Sequence, residues 1–171
     1  RAIAEYAGQP EHVLTVGSCS KAYAMTGWRL GWLAGDADVL ERIVTVREST
    51  TACPSSVGQA AAEAALTGPQ APFEQMYAAF EDRRDLVHDR LAEMPGVTAP
   101  RPEGAFYAFL DPDVDDSLAL AKHLLREHGV VLAPGSGFGT AGRGHLRLSF
   151  ANSKDRLREG LDRLEAGLST F

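Results

Sequence analysis

Ser18-Cys19-Ser20-Lys21-Ala22-Tyr23-Ala24-Met25-Thr26-Gly27-Trp28-Arg29-Leu30-Gly31 is the stretch on which the reading of this chain turns. Before it stands Glu11-His12-Val13-Leu14-Thr15-Val16-Gly17, a β-branched run ending in glycine that predicts a short strand. A lysine just beyond a strand sits where open α/β sheets bind ligands. Two hydroxyls precede Lys21, and Arg29 follows it by eight residues. Hydroxyls with a guanidinium suit a phosphate dianion, because arginine offers forked, charge-assisted bonds. Gly27 and Gly31 permit close backbone approach. Four residues of Ser-Cys-Ser-Lys alone would read as a solvated turn, and Arg29 alone as a structural ion pair inside an apolar strand. The joint pattern favours a ligand site.

Working outward, Trp28–Gly35 predicts a second strand, with Trp28 and Trp32 expected in the core. Asp36 and Asp38 supply N-cap chemistry for a helix with Val39, Leu40, Ile43, Val44 and Val46 as apolar positions. Pro54-Ser55-Ser56 restarts the chain, and an alanine-rich helix runs to about Leu66 before Thr67-Gly68-Pro69. Phe73, Met76, Tyr77, Phe80, Val87, Leu91 and Met94 recur at helical spacing and predict the longest helix, over 71–94. Beyond Pro95-Gly96, strands are expected at 97–99, 105–110, 130–133 and 145–150. A helix opened by Asp115-Asp116-Ser117 should bury Leu118, Ala121, Leu124 and Leu125. Asn152 or Ser153 should cap a last helix with Leu157, Leu161, Leu164 and Leu168 on its apolar face.

Composition narrows the class. The 171 residues carry 17 Lys+Arg against 23 Asp+Glu, a formal charge of -6. That balance argues against a general nucleic-acid binder, which needs a basic patch. No run of about 18 apolar residues exists, so no membrane span is expected. Arg1–Tyr6 shows no leader-like apolar run, and a cytoplasmic location is expected. Cys19 and Cys53 make no disulfide framework, and no Cys/His cluster has metal-ligand spacing. Cys19 reads as a small buried thiol. His12, His88, His123 and His128 read as surface or capping residues, with His145 unassigned.

The phosphate-binding pattern lacks the spacing of a P-loop and has no Ser/Thr after the lysine. A lysine beside a phosphate site of another kind points to Schiff-base chemistry. The cofactor that joins a phosphate to an aldehyde is pyridoxal 5′-phosphate. Ser18-x-Ser20-Lys21-x-x-x-Met25-Thr26-Gly27-Trp28-Arg29-x-Gly31 resembles the lysine signature of the class I/II aminotransferases, enzymes of PLP fold type I. Pro102-Glu103-Gly104-Ala105-Phe106-Tyr107 is similar to that family's glycine–aromatic strand. Val131-Leu132-Ala133-Pro134-Gly135-Ser136-x-Phe138-Gly139 is similar to its proline-glycine loop. His145-Leu146-Arg147-Leu148-Ser149-Phe150-Ala151 resembles its strand with the substrate-carboxylate arginine.

The resemblance implies an α/β fold that joins the C-terminal part of a large PLP-binding domain (1–70) through an interdomain helix (71–95) to a small C-terminal domain (96–171). It implies that Lys21 forms the internal aldimine and moves protons, that Ser18, Ser20 and Arg29 hold the cofactor phosphate, and that Arg147 pairs with the substrate α-carboxylate. Amino-acid and 2-oxo-acid substrates and a homodimer follow from the same likeness. The family's acidic partner of the pyridine nitrogen and its ring-stacking aromatic would precede Arg1, so the chain alone is expected to be inactive. Two other readings share these residues: a lyase or decarboxylase of the same fold, and a non-catalytic effector domain of a transcription regulator. Phe106 and Tyr107 are candidates to line the substrate pocket.

Overall fold

A computed structural model of the chain describes residues 3–6, 8 and 10–171. Arg1 and Ala2, which open the stretch read above for a leader, lie outside the described residues. The fold is mixed α/β and divides into two compact units, Arg1–Gln75 and Met76–Phe171.

In the second unit, strands β3 (Tyr107–Leu110), β4 (Ala133–Pro134) and β5 (Leu146–Ser149) form an antiparallel sheet with β5 at its centre. The pleat sends successive side chains to opposite faces. Ala108, Leu110, Leu146 and Leu148 are buried on one face, and Tyr107, Phe109 and Arg147 stand on the other, with Phe109 paired to Arg147. Helices α5 (Ser117–His128) and α6 (Lys154–Leu168), with the C-terminal half of α4 (Ala71–Glu93), supply the rest of the core. Its fully buried side chains include Leu91, Leu120, Leu124, Leu161, Leu164 and Phe150. The caps fall where the sequence calls for them. Asp116 accepts from the amides of Leu118 and Ala119, Ser153 accepts from Arg156, and Gly129 ends α5 at φ 66°.

Three expectations for this unit are corrected. Leu118 and Leu125 are 46% and 51% exposed, because the buried stripe of α5 is Leu120, Ala121 and Leu124. Residues 97–99 form no strand but a single bridge, Thr98 to Asp111. The apolar run at 130–133 pairs only from Ala133 onward. Burial of an apolar run does not require a ladder.

In the first unit, β1 (Thr15–Ser18) and β2 (Gly31–Ala34) make an antiparallel two-stranded ribbon. Glu11 and His12, read as part of the first strand, lie in a 3₁₀ turn (Pro10–His12) instead. A one-turn helix α1 (Cys19–Ala22) follows β1, and α2 (Ala37–Thr50) and α3 (Ser56–Thr67) follow β2. Asp36 caps α2 by accepting from Asp38 and Val39. The core is small: Cys19, Met25 and Ala62 are buried, with Tyr23, Leu30, Ala61 and Ala65 against them. No described residue of α2 is buried, and Val46 is 64% exposed. Trp28 and Trp32 are not core residues, at 47% and 44% exposure. A two-stranded ribbon offers no second layer to cover them. The Trp32 indole instead lies across Gly17, its cross-strand partner, in space that any Cβ would occupy.

Candidate active site

The lysine stretch is a loop stitched shut at its mouth. Ser18 pairs with Gly31 at the end of the ribbon, and the Cys19 amide donates to the Leu30 carbonyl at 3.2 Å. The Ser18 side chain serves twice there: its Oγ accepts from the Ser20 amide at 3.1 Å and donates to the Leu30 carbonyl at 3.4 Å. The buried Cys19 anchors the turn, and its carbonyl accepts from Tyr23 and Met25. Gly31 has no room for a side chain, since a Cβ would meet the Gly17 carbonyl oxygen. Outside the loop, the Tyr23 hydroxyl donates to Gln70 at 3.3 Å and its ring packs on Phe73 at 5.7 Å. The Gln70 amide in turn donates to the Ala65 and Gly68 carbonyls, finishing α3.

Ser18, Ser20, Lys21 and Arg29 therefore share one closed loop, with Ser18, Lys21 and Arg29 exposed on it. Arg29 does not lie in an apolar strand. It follows the 3₁₀ turn Thr26–Trp28 in a left-handed conformation, φ 53° and ψ 50°, and its Nη1 donates to the Thr26 carbonyl at 3.0 Å. Ala24 is left-handed too, at φ 54°. Each such non-glycine residue costs on the order of 1–3 kcal/mol, and strain of this kind gathers at functional sites. Among the described residues Arg29 has no carboxylate within ion-pair distance. This donor set, a primary amine with hydroxyls and an unpaired guanidinium on one loop, fits a ligand with both an aldehyde and a phosphate.

Arg147 belongs to the second unit, on the outer face of β5. Its Cζ lies 4.2 Å from the Tyr107 ring centroid and 4.3 Å from that of Phe138. No carboxylate pairs with it among the described residues. Arg90 shows the usual alternative for a half-buried arginine. It meets Asp162 at 2.7 Å, Glu165 at 3.2 Å and Glu93 at 3.4 Å. Phe138 ends the turn Gly135–Phe138, whose backbone packs so closely on Gly142 that neither glycine could carry a Cβ. Phe109 braces this wall, edge-on to Phe138 at 6.4 Å and stacked on His145 at 5.1 Å. His145 donates from Nδ1 to the Arg143 carbonyl at 2.8 Å, which fixes its ring in this wall. Of the two residues considered for the pocket, Tyr107 faces Arg147 while Phe106 packs against the core. Phe138 was quoted in the proline-glycine loop but given no role by sequence reasoning, although a lone aromatic in Gly135-Ser136-Gly137-Phe138-Gly139 was the available signal.

Residues 1–164 match the aminotransferase class I and II family. The chain belongs to that family. It is 40% identical to an aspartate aminotransferase of Geobacillus stearothermophilus over 87% of this chain and 39% of the relative. It is 41% identical to a probable N-acetyl-LL-diaminopimelate aminotransferase of Bacillus subtilis, over 91% of this chain and 40% of the relative. The crystal structure of the aromatic aminotransferase from Pyrococcus horikoshii superposes with a TM-score of 0.92 at 37% identity, covering 99% of this chain and 46% of that one. The chain thus spans about two fifths of the length of the curated relatives it matches. Class I/II aminotransferases are PLP-dependent enzymes. No helix among the described residues is long and apolar enough to cross a membrane, and no metal-binding cluster occurs among them.

Proposed function

We propose that this chain carries the lysine, the phosphate-holding loop and the carboxylate-binding arginine of an aminotransferase that moves an amino group from an α-amino acid to a 2-oxo acid. The single observation behind this reading is the closed 18–31 loop, which holds Ser18, Ser20, Lys21 and Arg29 together with left-handed Ala24 and Arg29. PLP, when bound, supplies the electron sink for the carbanion at the substrate Cα. Ser18, Ser20 and Arg29 are the residues that would hold its phosphate, and Lys21 the one that would bond its aldehyde carbon. Lys21 would also be the base that lifts the proton from the substrate Cα and delivers it to the cofactor's aldehyde carbon. Arg147 orients the substrate by pairing both of its forked N–H groups with the α-carboxylate.

In the same reading, residues 1–70 are the C-terminal part of the large cofactor-binding domain, 71–95 an interdomain helix and 96–171 the small domain. The enzyme acts as a cytoplasmic homodimer, a compartment in keeping with the free thiols of Cys19 and Cys53. Amino-acid turnover by the full-length, cofactor-loaded protein tests the assignment. Lys21→Ala abolishes it, and Arg147→Lys keeps the cofactor but weakens substrate by about 1.5–3 kcal/mol, the worth of a hydrogen bond to a charged group. Normal substrate affinity in Arg147→Lys overturns the role given to Arg147.

A further inference from the structure

Arg147 raises a question that its proposed role does not answer. A guanidinium that waits for a substrate carboxylate must be held in place without a carboxylate of its own. Arg90 is held by three acidic groups, and those same contacts occupy its donors. Arg147 has none among the described residues, yet it is partly buried. What surrounds it is aromatic: Tyr107 at 4.2 Å and Phe138 at 4.3 Å. The face of an aromatic ring attracts a cation through its quadrupole and needs none of the cation's in-plane N–H groups. A contact to a ring face can thus fix the guanidinium and leave its forked edge unspent.

We propose that Tyr107 and Phe138 are positioning residues for Arg147, holding its guanidinium by ring contact so that its donor edge stays available to a carboxylate. This rests on the carboxylate role proposed for Arg147. The two rings reach the arginine from different sources. Tyr107 is fixed by β3, diagonal to Arg147 across the ladder in which Phe109 stands opposite it. Phe138 comes from the turn seated by the Gly135–Gly142 contact and is steadied by Phe109. That turn is built from glycines because two backbones meet there, and its product is the placement of one ring. The ring of Phe138 is 53% exposed, so it contributes little to the core and its position calls for another reason.

The test uses the 171-residue chain labelled with nitrogen-15, reading the Arg147 Nε–Hε resonance, which Arg147→Lys identifies by its loss. The two rings shift Hε upfield and keep the Nε–Hε vector ordered. Phe138→Leu, which preserves bulk and removes the ring, should move Hε downfield and lower its order parameter, and Phe138→Tyr should restore both. Because Phe138 is 53% exposed, Phe138→Leu should stay folded, with its unfolding temperature lowered by no more than a few degrees. Maleate, a dicarboxylate that neither gives nor takes an amino group, then reports on the fork. Its dissociation constant should rise about two- to fivefold in Phe138→Leu, the range expected for loss of one partly exposed cation–π contact. If Hε shift and order are unchanged in both Phe138→Leu and Tyr107→Leu, the rings do not position Arg147 and the proposal is overturned. If the rings govern the resonance but Arg147→Lys binds maleate as the parent does, the carboxylate role itself is what fails.

Discussion

The two units of this chain hold their candidate residues by different means. Arg147 stands on the outer face of a sheet whose other face is part of a core of fifteen buried apolar residues among those described, from Val87 to Leu164. The Lys21 loop is part of a core of only three among the described residues, its own Cys19 and Met25 with Ala62 of α3. In the second unit a side chain is aimed by a rigid layer behind it. In the first, the loop is shaped by its own backbone: the Ser18–Gly31 pairing, the Cys19 and Met25 amides, and two residues in a conformation that alanine and arginine disfavour. The contrast teaches that a precise loop does not need a large core when backbone hydrogen bonds close it at the mouth. It also predicts that the units respond differently to the same kind of substitution.

The largest difference is expected in the core. Leu161→Ala removes a fully buried side chain and should cost about 2–5 kcal/mol. Val46→Ala on α2, at 64% exposure, should stay within about 0.5 kcal/mol. Urea unfolding of both variants measures this, and equal losses would break the comparison. Next comes the glycine turn. Gly142→Ala drives a methyl into the Gly135 backbone and should cost about 1–3 kcal/mol through overpacking. The displaced turn should also carry Phe138 away from Arg147, which the Arg147 resonance would show.

A smaller effect sharpens the account of the loop. Ala24→Gly relieves a left-handed residue at φ 54° and should stabilise the first unit by about 0.5–1 kcal/mol. Ala64→Gly inside α3 should do the opposite, by about 0.8–1 kcal/mol. Loss of stability in Ala24→Gly would mean that the loop is not strained there. The smallest effect concerns Asp85. Hydrogen bonds from Arg84, then Arg101, lower its pKa from 3.8 to about 2. A carboxyl with a depressed folded-state pKa adds stability that is fully present above its unfolded value and fades as pH falls through the folded one. Asp85→Asn should therefore lose this small, solvent-screened contribution at neutrality, flatten the pH dependence of unfolding between about pH 4 and 2, and match the parent once the carboxyl is protonated in both states.

Much of this was legible in the residues. Asp36, Asp116, Ser153 and Gly129 mark helix ends by local chemistry that needs no partner, and each serves as the sequence requires. The helix spacing of Leu157, Leu161 and Leu164 placed the buried face of α6. Strand extents were less legible, because pairing depends on a distant neighbour: the run at 130–133 is apolar yet joins the ladder only at its end. Trp28 and Trp32 misled for a similar reason, since an apolar residue is buried only where a second layer exists. The lysine loop was marked by residue types and spacing, while the left-handed Ala24 and Arg29 were not, as neither type favours that conformation. The ring contacts of Arg147 depend on a ladder register and on a turn nine residues away in sequence, which no local pattern encodes.

The central claim is that Lys21 is the cofactor lysine, and the chain is well suited to a direct test because it has only three lysines: Lys21, Lys122 and Lys154. Pyridoxal phosphate is added to the protein, the adduct is reduced with borohydride, and peptides are mapped by mass. The account predicts the pyridoxyl mass on Lys21, saturable with cofactor and diminished in Arg29→Ala. A pyridoxyl mass on Lys122 or Lys154 instead, or equal labelling of all three, would contradict it.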